Sequence, residues 1–112
     1  EAQVREYLTV CDELGLSALV ETHDEAEVEQ ALSAGARVIG VNNRNLKDFT
    51  VDTENSRRLR ERIPEQVLFV SESGVSRPED VKRLGEADAV LVGEALMRAA
   101  DKKQMLSNLR GY

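Results

Sequence analysis

The sequence predicts an α/β fold built on a parallel sheet, and two patterns lead to this prediction. The 112-residue chain contains four short, continuous apolar runs rich in β-branched residues, which are typical of strands covered on both faces. Helical segments alternate with these runs, and regular alternation favours parallel strands joined by right-handed crossovers. A chain of this length predicts a single domain over residues 1–112. The predicted strands are residues 18–20, 38–41, 67–70 and 89–92.

Two helices flank the first predicted strand. The helix before it ends at Gly15, and the helix after it ends near Gly35. Asp24 and Glu27 have the spacing of a capping box at the start of the second helix. The apolar faces that we expect to turn inward contain Val4, Leu8, Cys11 and Leu14 in the first helix and Val28, Ala31 and Leu32 in the second.

The third predicted helix follows the longest loop, residues 42–52, in which polar residues dominate. This helix starts at Thr53 and contains Leu59 and Ile63. It cannot continue past Pro64, because proline lacks the backbone N–H and its ring clashes with the preceding turn.

The fourth predicted helix opens with Ser76-Arg77-Pro78-Glu79, a capping box with proline in the first turn, and ends near Gly85. The last helix starts near Asp101 and turns Met105 and Leu109 inward. Helices and strands therefore alternate in the predicted order, which contains four strands and both begins and ends with a helix.

Composition excludes several classes of function. The 15 basic and 21 acidic residues give a net charge of −6, so we expect neither nucleic acid nor an anionic membrane as partner. No apolar run approaches the ~20 residues that cross a bilayer. One cysteine and one histidine exclude an internal disulfide and a Cys/His zinc cluster, and we expect a reducing, cytoplasmic compartment. The sequence starts at Glu1, so we expect a processed chain or a piece of a longer one.

The sequence predicts ordinary structural environments for the histidine and the cysteine. We expect His23 to be exposed in a polar loop. We expect Cys11, on an apolar helix face, to be a small buried hydrophobic residue.

Polar side chains and glycines follow every predicted strand, at the edge where parallel βα units carry their function. Together they form an acid/base and anion-binding set with neither a thiol nucleophile nor a metal cluster. They are Glu21, Thr22 and His23 after the first strand, Asn42, Asn43 and Arg44 after the second, Ser71, Glu72, Ser73 and Gly74 after the third, and Gly93 and Glu94 after the fourth.

Four strings at these strand ends carry a resemblance to a known family. They are Val20-Glu21, Gly40-Val41-Asn42-Asn43-Arg44-Asn45-Leu46, Ser71-Glu72-Ser73-Gly74-Val75 and Leu91-Val92-Gly93-Glu94-Ala95-Leu96-Met97. In this order they resemble indole-3-glycerol phosphate synthase. The resemblance covers the whole chain but only the second half of that family's (β/α)₈ barrel. It implies half of a TIM barrel, in which the four runs are barrel strands five to eight with flanking helices.

The resemblance implies four catalytic residues. Glu21 corresponds to a general base or proton-transfer group, which works well only if burial or a neighbouring charge raises its pKa. Asn42 corresponds to a residue that hydrogen-bonds the substrate, whereas we expect a local turn role for Asn43. Glu72 implies a substrate contact or a proton relay, and Ser73 implies a hydrogen bond. The alternative for Glu21 is a solvated loop glutamate, and the alternative for Asn42 is a local turn hydrogen bond.

The same resemblance implies a phosphate-binding set. Arg44 corresponds to an arginine near the substrate's anionic groups, with a solvated loop arginine as the alternative. Gly74 and Gly93 would let backbone amides approach a phosphate without obstruction, and the alternative is that they only turn the chain. Glu94 begins a short helix over residues 94–98 whose N-terminus would face the same anion.

The implied reaction converts 1-(2-carboxyphenylamino)-1-deoxyribulose 5-phosphate to indole-3-glycerol phosphate, with release of carbon dioxide and water. This is a carboxy-lyase step of tryptophan biosynthesis that in the family uses no cofactor and no metal. The family also uses lysines on strands one to three, and no strand-end residue here is a lysine. We therefore expect the isolated chain to be inactive.

Two alternatives remain open. One is a non-catalytic phosphate-binding half-barrel that works as an assembly module. The other is another phosphate-binding barrel, such as a phosphoribosyl isomerase or the tryptophan synthase α chain. In the preferred interpretation the partners are a small phosphorylated substrate and either an N-terminal half-barrel or a second copy of this chain.

Overall fold

The computed structural model describes residues 1–111 and has the α/β architecture that the sequence predicts. Four parallel strands form one sheet in the order β1-β2-β3-β4, so consecutive strands are neighbours. The strands are β1 (Val20–Thr22), β2 (Val38–Asn42), β3 (Leu68–Glu72) and β4 (Ala89–Leu91). The helices are α1 (Ala2–Glu13), α2 (Glu25–Ser33), α3 (Glu54–Arg60), α4 (Pro78–Leu84), α5 (Glu94–Arg98) and α6 (Lys102–Arg110).

The first three strands extend further toward their carboxyl ends than predicted. Glu21 pairs with Gly40, and Asn42 pairs with Glu72, so polar residues continue the ladder. Strand pairing joins backbone groups, whereas an apolar run marks only the part of a strand whose side chains are apolar. The prediction that Glu21, Asn42 and Glu72 follow the strands is therefore wrong, because all three lie within them.

The hydrophobic core lies between the sheet and the helices. Ile39 and Val41 on β2 and Phe69 on β3 alternate along their strands and are almost completely buried. They pack with Val28 of α2 and Leu59 of α3 in one cluster. This cluster holds β2 and β3 in place, and with them the polar residues at their carboxyl ends.

The other face of the sheet is open. Leu19, just before β1, is 46% exposed, and Leu68 on β3 and Leu91 on β4 are each 52% exposed. Val70 on β3 and Ala89 on β4 are paired neighbours that lie on the same face. The expectation that the strands are covered on both faces is wrong for this chain, because helices cover only one face. We call the surface formed by Leu19, Leu68, Val70, Ala89 and Leu91 the open sheet face.

The first two helices follow the prediction in part. Val28 and Ala31 of α2 are buried, and Leu32 packs against the core. Leu14 is 68% exposed, because α1 has already ended at Glu13. Cys11 is half-buried and not buried as predicted, since α1 contains no fully buried residue.

α3 is shorter than predicted, and α6 is as predicted. α3 ends at Arg60, although Leu59 and Ile63 are both buried. In α6 the side chain of Asp101 accepts a hydrogen bond from the backbone of Gln104 at 2.9 Å. Leu109 is buried, and Met105 packs beside it, as the sequence predicts.

The cap of α4 lies one residue further along the chain than predicted. Pro78 occupies the first helical position, where its missing N–H has no helical partner to lose. The N-cap is therefore Arg77, not Ser76. Asp80, not Glu79, supplies the carboxylate, which accepts the backbone N–H groups of Ser76 at 3.0 Å and Arg77 at 2.9 Å.

Two features of the described chain bear on function. None of its helices is both long and apolar enough to span a membrane. Within residues 1–111, no three His, Cys, Asp or Glu side chains are grouped so that they could hold a metal ion.

Candidate functional site at the carboxyl ends of the strands

A buried carboxyl group lies at the centre of the site. Glu72, the last residue of β3, is 3% exposed, and its Oε1 atom is buried without a hydrogen-bond partner among the described residues. Its side chain crosses Gly40 on β2, where an added Cβ would collide with the carboxylate. Burial, the charge of Glu21 and a hydrogen bond to Glu21 raise the pKa of Glu72 from 4.5 to about 7, and His23 opposes this rise. Glu72 is therefore suited to accept and return a proton near neutral pH.

Glu21 on β1 connects this buried group with the edge of the site. The Nδ2 atom of Asn42 donates a hydrogen bond to Glu21 Oε1 at 3.0 Å. The Nε2 atom of His23 lies 3.2 Å from the same oxygen. Asn42, His23 and Glu72 therefore surround the Glu21 carboxylate. His23 is half-buried, so the prediction of an exposed histidine is wrong.

The two adjacent asparagines make different kinds of contact, and the turn role predicted for Asn43 falls to Asn42. Asn42 makes the local turn hydrogen bond, because its Oδ1 accepts the backbone N–H of Arg44 at 2.9 Å. Asn43 is 4% exposed, and its Nδ2 atom donates to Ser71 Oγ and to the carbonyl oxygen of Ser73, each at 3.1 Å. Its Oδ1 atom accepts the N–H and the hydroxyl of Ser56 at 3.0 and 2.8 Å. Asn43 therefore joins β2, β3 and α3.

Sequence reasoning assigned no role to Ser56 and included Ser71 only as a member of the strand-end polar set. Both hydroxyls are buried and lie 2.8 Å apart. The signal that could have identified them is polarity at positions where a strand and a helix turn toward the core. We call Asn43, Ser56 and Ser71 the buried polar cluster.

The turn after β3 has an unusual backbone. Ser73 has a φ of 68° and Gly74 a φ of 85°, so both lie in the left-handed region. The hydrogen bond from Asn43 to the Ser73 carbonyl holds this conformation. A side chain at Gly74 would collide with Val51 and Thr53, so glycine is required by close packing as well as by its φ.

An ion pair crosses the second part of the site. Arg44 donates to Glu94 Oε2 at 2.8 Å, and Arg98 lies 3.1 Å from the other oxygen of this carboxylate. A hydrogen bond from Arg44, the charge of Arg44 and then the charge of Arg98 hold the pKa of Glu94 below its ordinary range. Arg44 is thus engaged by a carboxylate of this chain.

A cleft of about 830 Å³ brings most of the predicted residues together. Asn42 and Arg44 line one side, and a Cβ added at Gly93 would meet open space. Glu21 and Glu72 do not line this cleft but lie beside it through Asn42. The predicted residues that line it are Asn42, Arg44, Ser73, Gly74, Gly93 and Glu94.

This arrangement defines a class of protein: half of a (β/α)₈ barrel with acid/base side chains at the carboxyl ends of its strands. The profile of the family described as indole-3-glycerol phosphate synthase matches residues 1–109. The chain belongs to the indole-3-glycerol phosphate synthase family.

Individual relatives agree with this assignment. The indole-3-glycerol phosphate synthase of Lachnoclostridium phytofermentans is 55% identical over 112 residues, which are 98% of this chain and 41% of the relative. That of Leuconostoc mesenteroides is 52% identical over 113 residues, 99% of this chain and 43% of the relative. The chain thus spans about two fifths of the length of these curated relatives.

Solved structures share the fold. A structure described as the Amycolatopsis orientalis BexX/CysO complex superimposes with a TM-score of 0.72 at 25% identity, over 96% of this chain and 44% of that chain. A structure described as native KDPGal superimposes with a TM-score of 0.71 at 17% identity, over 96% of this chain and 51% of that chain. In both, this chain corresponds to about half of the larger chain.

Proposed function

We propose that this chain supplies the proton-transfer carboxylates and the phosphate end of the active site of an indole-3-glycerol phosphate synthase. The observation that carries the proposal is the carboxyl group of Glu72. It is buried against Glu21, its pKa is raised to about 7, and it lies beside a cleft that an arginine lines. An acid/base group poised near neutral pH beside an anion-binding cleft fits a reaction that moves protons on a phosphorylated substrate.

The reaction that we propose is the family's. It converts 1-(2-carboxyphenylamino)-1-deoxyribulose 5-phosphate to indole-3-glycerol phosphate, carbon dioxide and water, as a cytoplasmic carboxy-lyase of tryptophan biosynthesis without a cofactor. Glu21 and Glu72 take up and return the protons of ring closure and dehydration. Asn42 orients a substrate hydroxyl or carbonyl, and Ser73 donates a hydrogen bond.

The substrate phosphate would occupy the cleft between Gly74 and Gly93. Open space at Gly93 leaves room for an anion, and the carboxylate of Glu94 already occupies the guanidinium of Arg44. In this proposal the phosphate replaces Glu94 as the partner of Arg44, since an arginine can pair with either group.

The proposed activity needs more of the barrel than this chain contains. Its lysines lie in the loop after β2 and on α4 and α6, so none of them reaches the carboxyl ends of the strands from within the sheet. The general acid of the family is a lysine of the first three barrel strands. We therefore expect turnover only when an N-terminal half-barrel completes the site.

A complementation assay tests this proposal. The chain is mixed with the N-terminal part of the Lachnoclostridium phytofermentans relative, and indole-3-glycerol phosphate formation is followed by fluorescence. We expect no turnover from the chain alone, turnover from the mixture, and a loss of roughly 10²–10⁴-fold in kcat for Glu72→Gln in the mixture. Glu79→Gln, an exposed carboxylate of α4, is the matched control and should keep the parent rate.

Two outcomes would contradict the proposal. A mixture that forms a stable complex without turnover would favour the alternative of a non-catalytic assembly module. Turnover by the isolated chain in the ordinary range of ~1–10 s⁻¹ would show that the missing strands are not needed.

A further inference from the structure

The ring of His23 lies between two carboxylates at the edge of the site. Its Nδ1 atom is 3.0 Å from Glu27 Oε2, and its Nε2 atom is 3.2 Å from Glu21 Oε1. The side chain is 31% exposed, so the ring touches both the solvent and the interior of the site. This position gives the only histidine of the chain a contact with each of two proton acceptors.

Glu27 fixes the orientation of the ring. Its Oε2 atom accepts the backbone N–H of His23 at 2.7 Å as well as contacting Nδ1. Asn55 donates to the His23 carbonyl at 3.0 Å and holds the same residue from α3. With Nδ1 kept at Glu27, the exchangeable position of the ring is Nε2, which is buried, makes no hydrogen bond among the described residues and lies 3.2 Å from Glu21 Oε1.

Glu21 extends this contact to the most buried acid of the site. The carboxyl group of Glu21 lies near that of Glu72 and contributes to its raised pKa, and the Glu21 side chain is 45% exposed. The side chains of Glu27, His23, Glu21 and Glu72 thus form a continuous series from α2 to the end of β3. Each member can release or accept a proton.

We propose that His23 is a positioning residue that relays a proton to and from the Glu21–Glu72 pair. In the forward step the N–H bond at Nε2 of the imidazolium breaks, and an O–H bond forms on Glu21. The ring is left neutral with its remaining proton on Nδ1, where Glu27 accepts a hydrogen bond from it. The reverse step restores both groups, so no further reactant is needed. The role in turnover rests on the proposed function, whereas the exchange itself is a property of this chain.

The charged groups around the ring come from several elements. Glu21 approaches it from β1 and Glu27 from α2. His23 also lines a cavity of about 640 Å³. The other charged residues that line this cavity are Asp24, Arg44, Lys47 and Asp52.

Nuclear magnetic resonance of the parent chain tests the relay without any variant. The ring ¹⁵N signals of His23 and the carboxyl ¹³C signals of Glu21 and Glu72 are followed from about pH 5 to pH 9. Because coupled groups titrate as a unit, we expect the Glu21 and Glu72 curves to contain an inflection at the midpoint of the His23 ring. Independent curves with no shared inflection would overturn the proposal.

Variants of the ring and of its anchor sharpen the test. In His23→Gln the shared inflection should disappear, and the midpoint of Glu72 should move above about 7, because the imidazolium charge that lowers it is gone. Glu27→Gln should weaken the shared inflection by releasing Nδ1. Glu25→Gln is the matched control on the same helix, since Glu25 pairs with Arg62 at 2.6 Å and should leave the inflection unchanged.

The relay and the proposed function fail in distinguishable ways. Shared inflections together with no turnover in the complementation assay would uphold the relay and contradict the proposed function. Turnover together with independent titrations would uphold the proposed function and overturn the relay. If His23→Gln does not fold, as judged by its amide spectrum, the parent titration still decides the question.

Discussion

Glu72 owes its position to a residue on the neighbouring strand. Gly40 pairs with Val70 and carries no Cβ, so the side chain of Glu72 can lie across β2 toward Glu21. A side chain at position 40 would collide with the Glu72 carboxyl group and push it away from Glu21. The loss of water on burial and, after it, the charge of Glu21 both disfavour the charged form of Glu72.

A raised carboxyl pKa makes stability depend on pH in a defined direction. The unfolded chain releases the Glu72 proton near pH 4.5 and the folded chain near pH 7. Between these values the folded state binds more protons, so the free energy of unfolding falls as the pH rises. The contribution of Glu72 is therefore least favourable above about pH 7.

Replacing Glu72 with glutamine should remove this dependence. We expect Glu72→Gln to gain stability over the parent, on the order of 1–3 kcal/mol, when the pH is raised from about 5 to about 8. Urea unfolding at equal protein concentration measures it, with Glu79→Gln as the control that should show no such gain. A difference between Glu72→Gln and parent that is the same at both pH values would count against the raised pKa.

At the scale of elements, the buried polar cluster fixes how β2, β3 and α3 meet. Asn43 uses both ends of its amide, and the backbone N–H of the same residue donates to the Glu72 carbonyl at 2.8 Å. Because its side-chain partners Ser56 and Ser71 are buried, water cannot replace a lost hydrogen bond without entering the core. The cluster therefore positions Glu72 and Ser73 through the backbone.

Removal of the Asn43 side chain should be costly. Asn43→Ala leaves the hydroxyls of Ser56 and Ser71 short of partners, so we expect a loss of about 1–3 kcal/mol in the free energy of unfolding. Asn45 lies in the same loop, is exposed, and its side chain accepts a local hydrogen bond from the backbone N–H of Lys47. Asn45→Ala should therefore change the free energy of unfolding by less than about 0.5 kcal/mol. Equal losses in the two variants by urea unfolding would argue against the cluster.

The elements were predictable where local chemistry determines them. Apolar runs located all four strands, and Asp101 located the start of α6, because burial pattern and capping depend on neighbours in sequence. The shift of the α4 cap to Arg77 was not predicted, since a choice between adjacent carboxylates depends on three-dimensional fit.

The site was predictable to a similar extent. The family resemblance brought Glu21, Asn42 and Glu72 into one group, and the structure places them side by side. The burial of Asn43 among Ser56 and Ser71 and the room that Gly40 provides were not predicted, because they depend on contacts between residues far apart in sequence. No pattern along the chain carries that information.

At the scale of the whole molecule, the open sheet face determines behaviour in solution. β1 and β4 are the edges of the sheet, and each has a neighbour on one side only. In a closed barrel every strand has two neighbours, and the inner side chains meet across the barrel. The exposed leucines of the open sheet face therefore lie where a complete barrel would bury them.

We predict that the isolated chain self-associates through the open sheet face, most simply as a two-fold dimer. Sedimentation equilibrium at micromolar concentration should give a mass above the 12.4 kDa of one chain. Leu68→Glu places a charge on this face and should shift the mass toward the monomer, whereas Leu106→Glu, on α6, should not. An N-terminal half-barrel should compete with the dimer, because it would cover the same surface. A parent chain that sediments as a 12.4 kDa monomer and binds no apolar dye would refute this prediction.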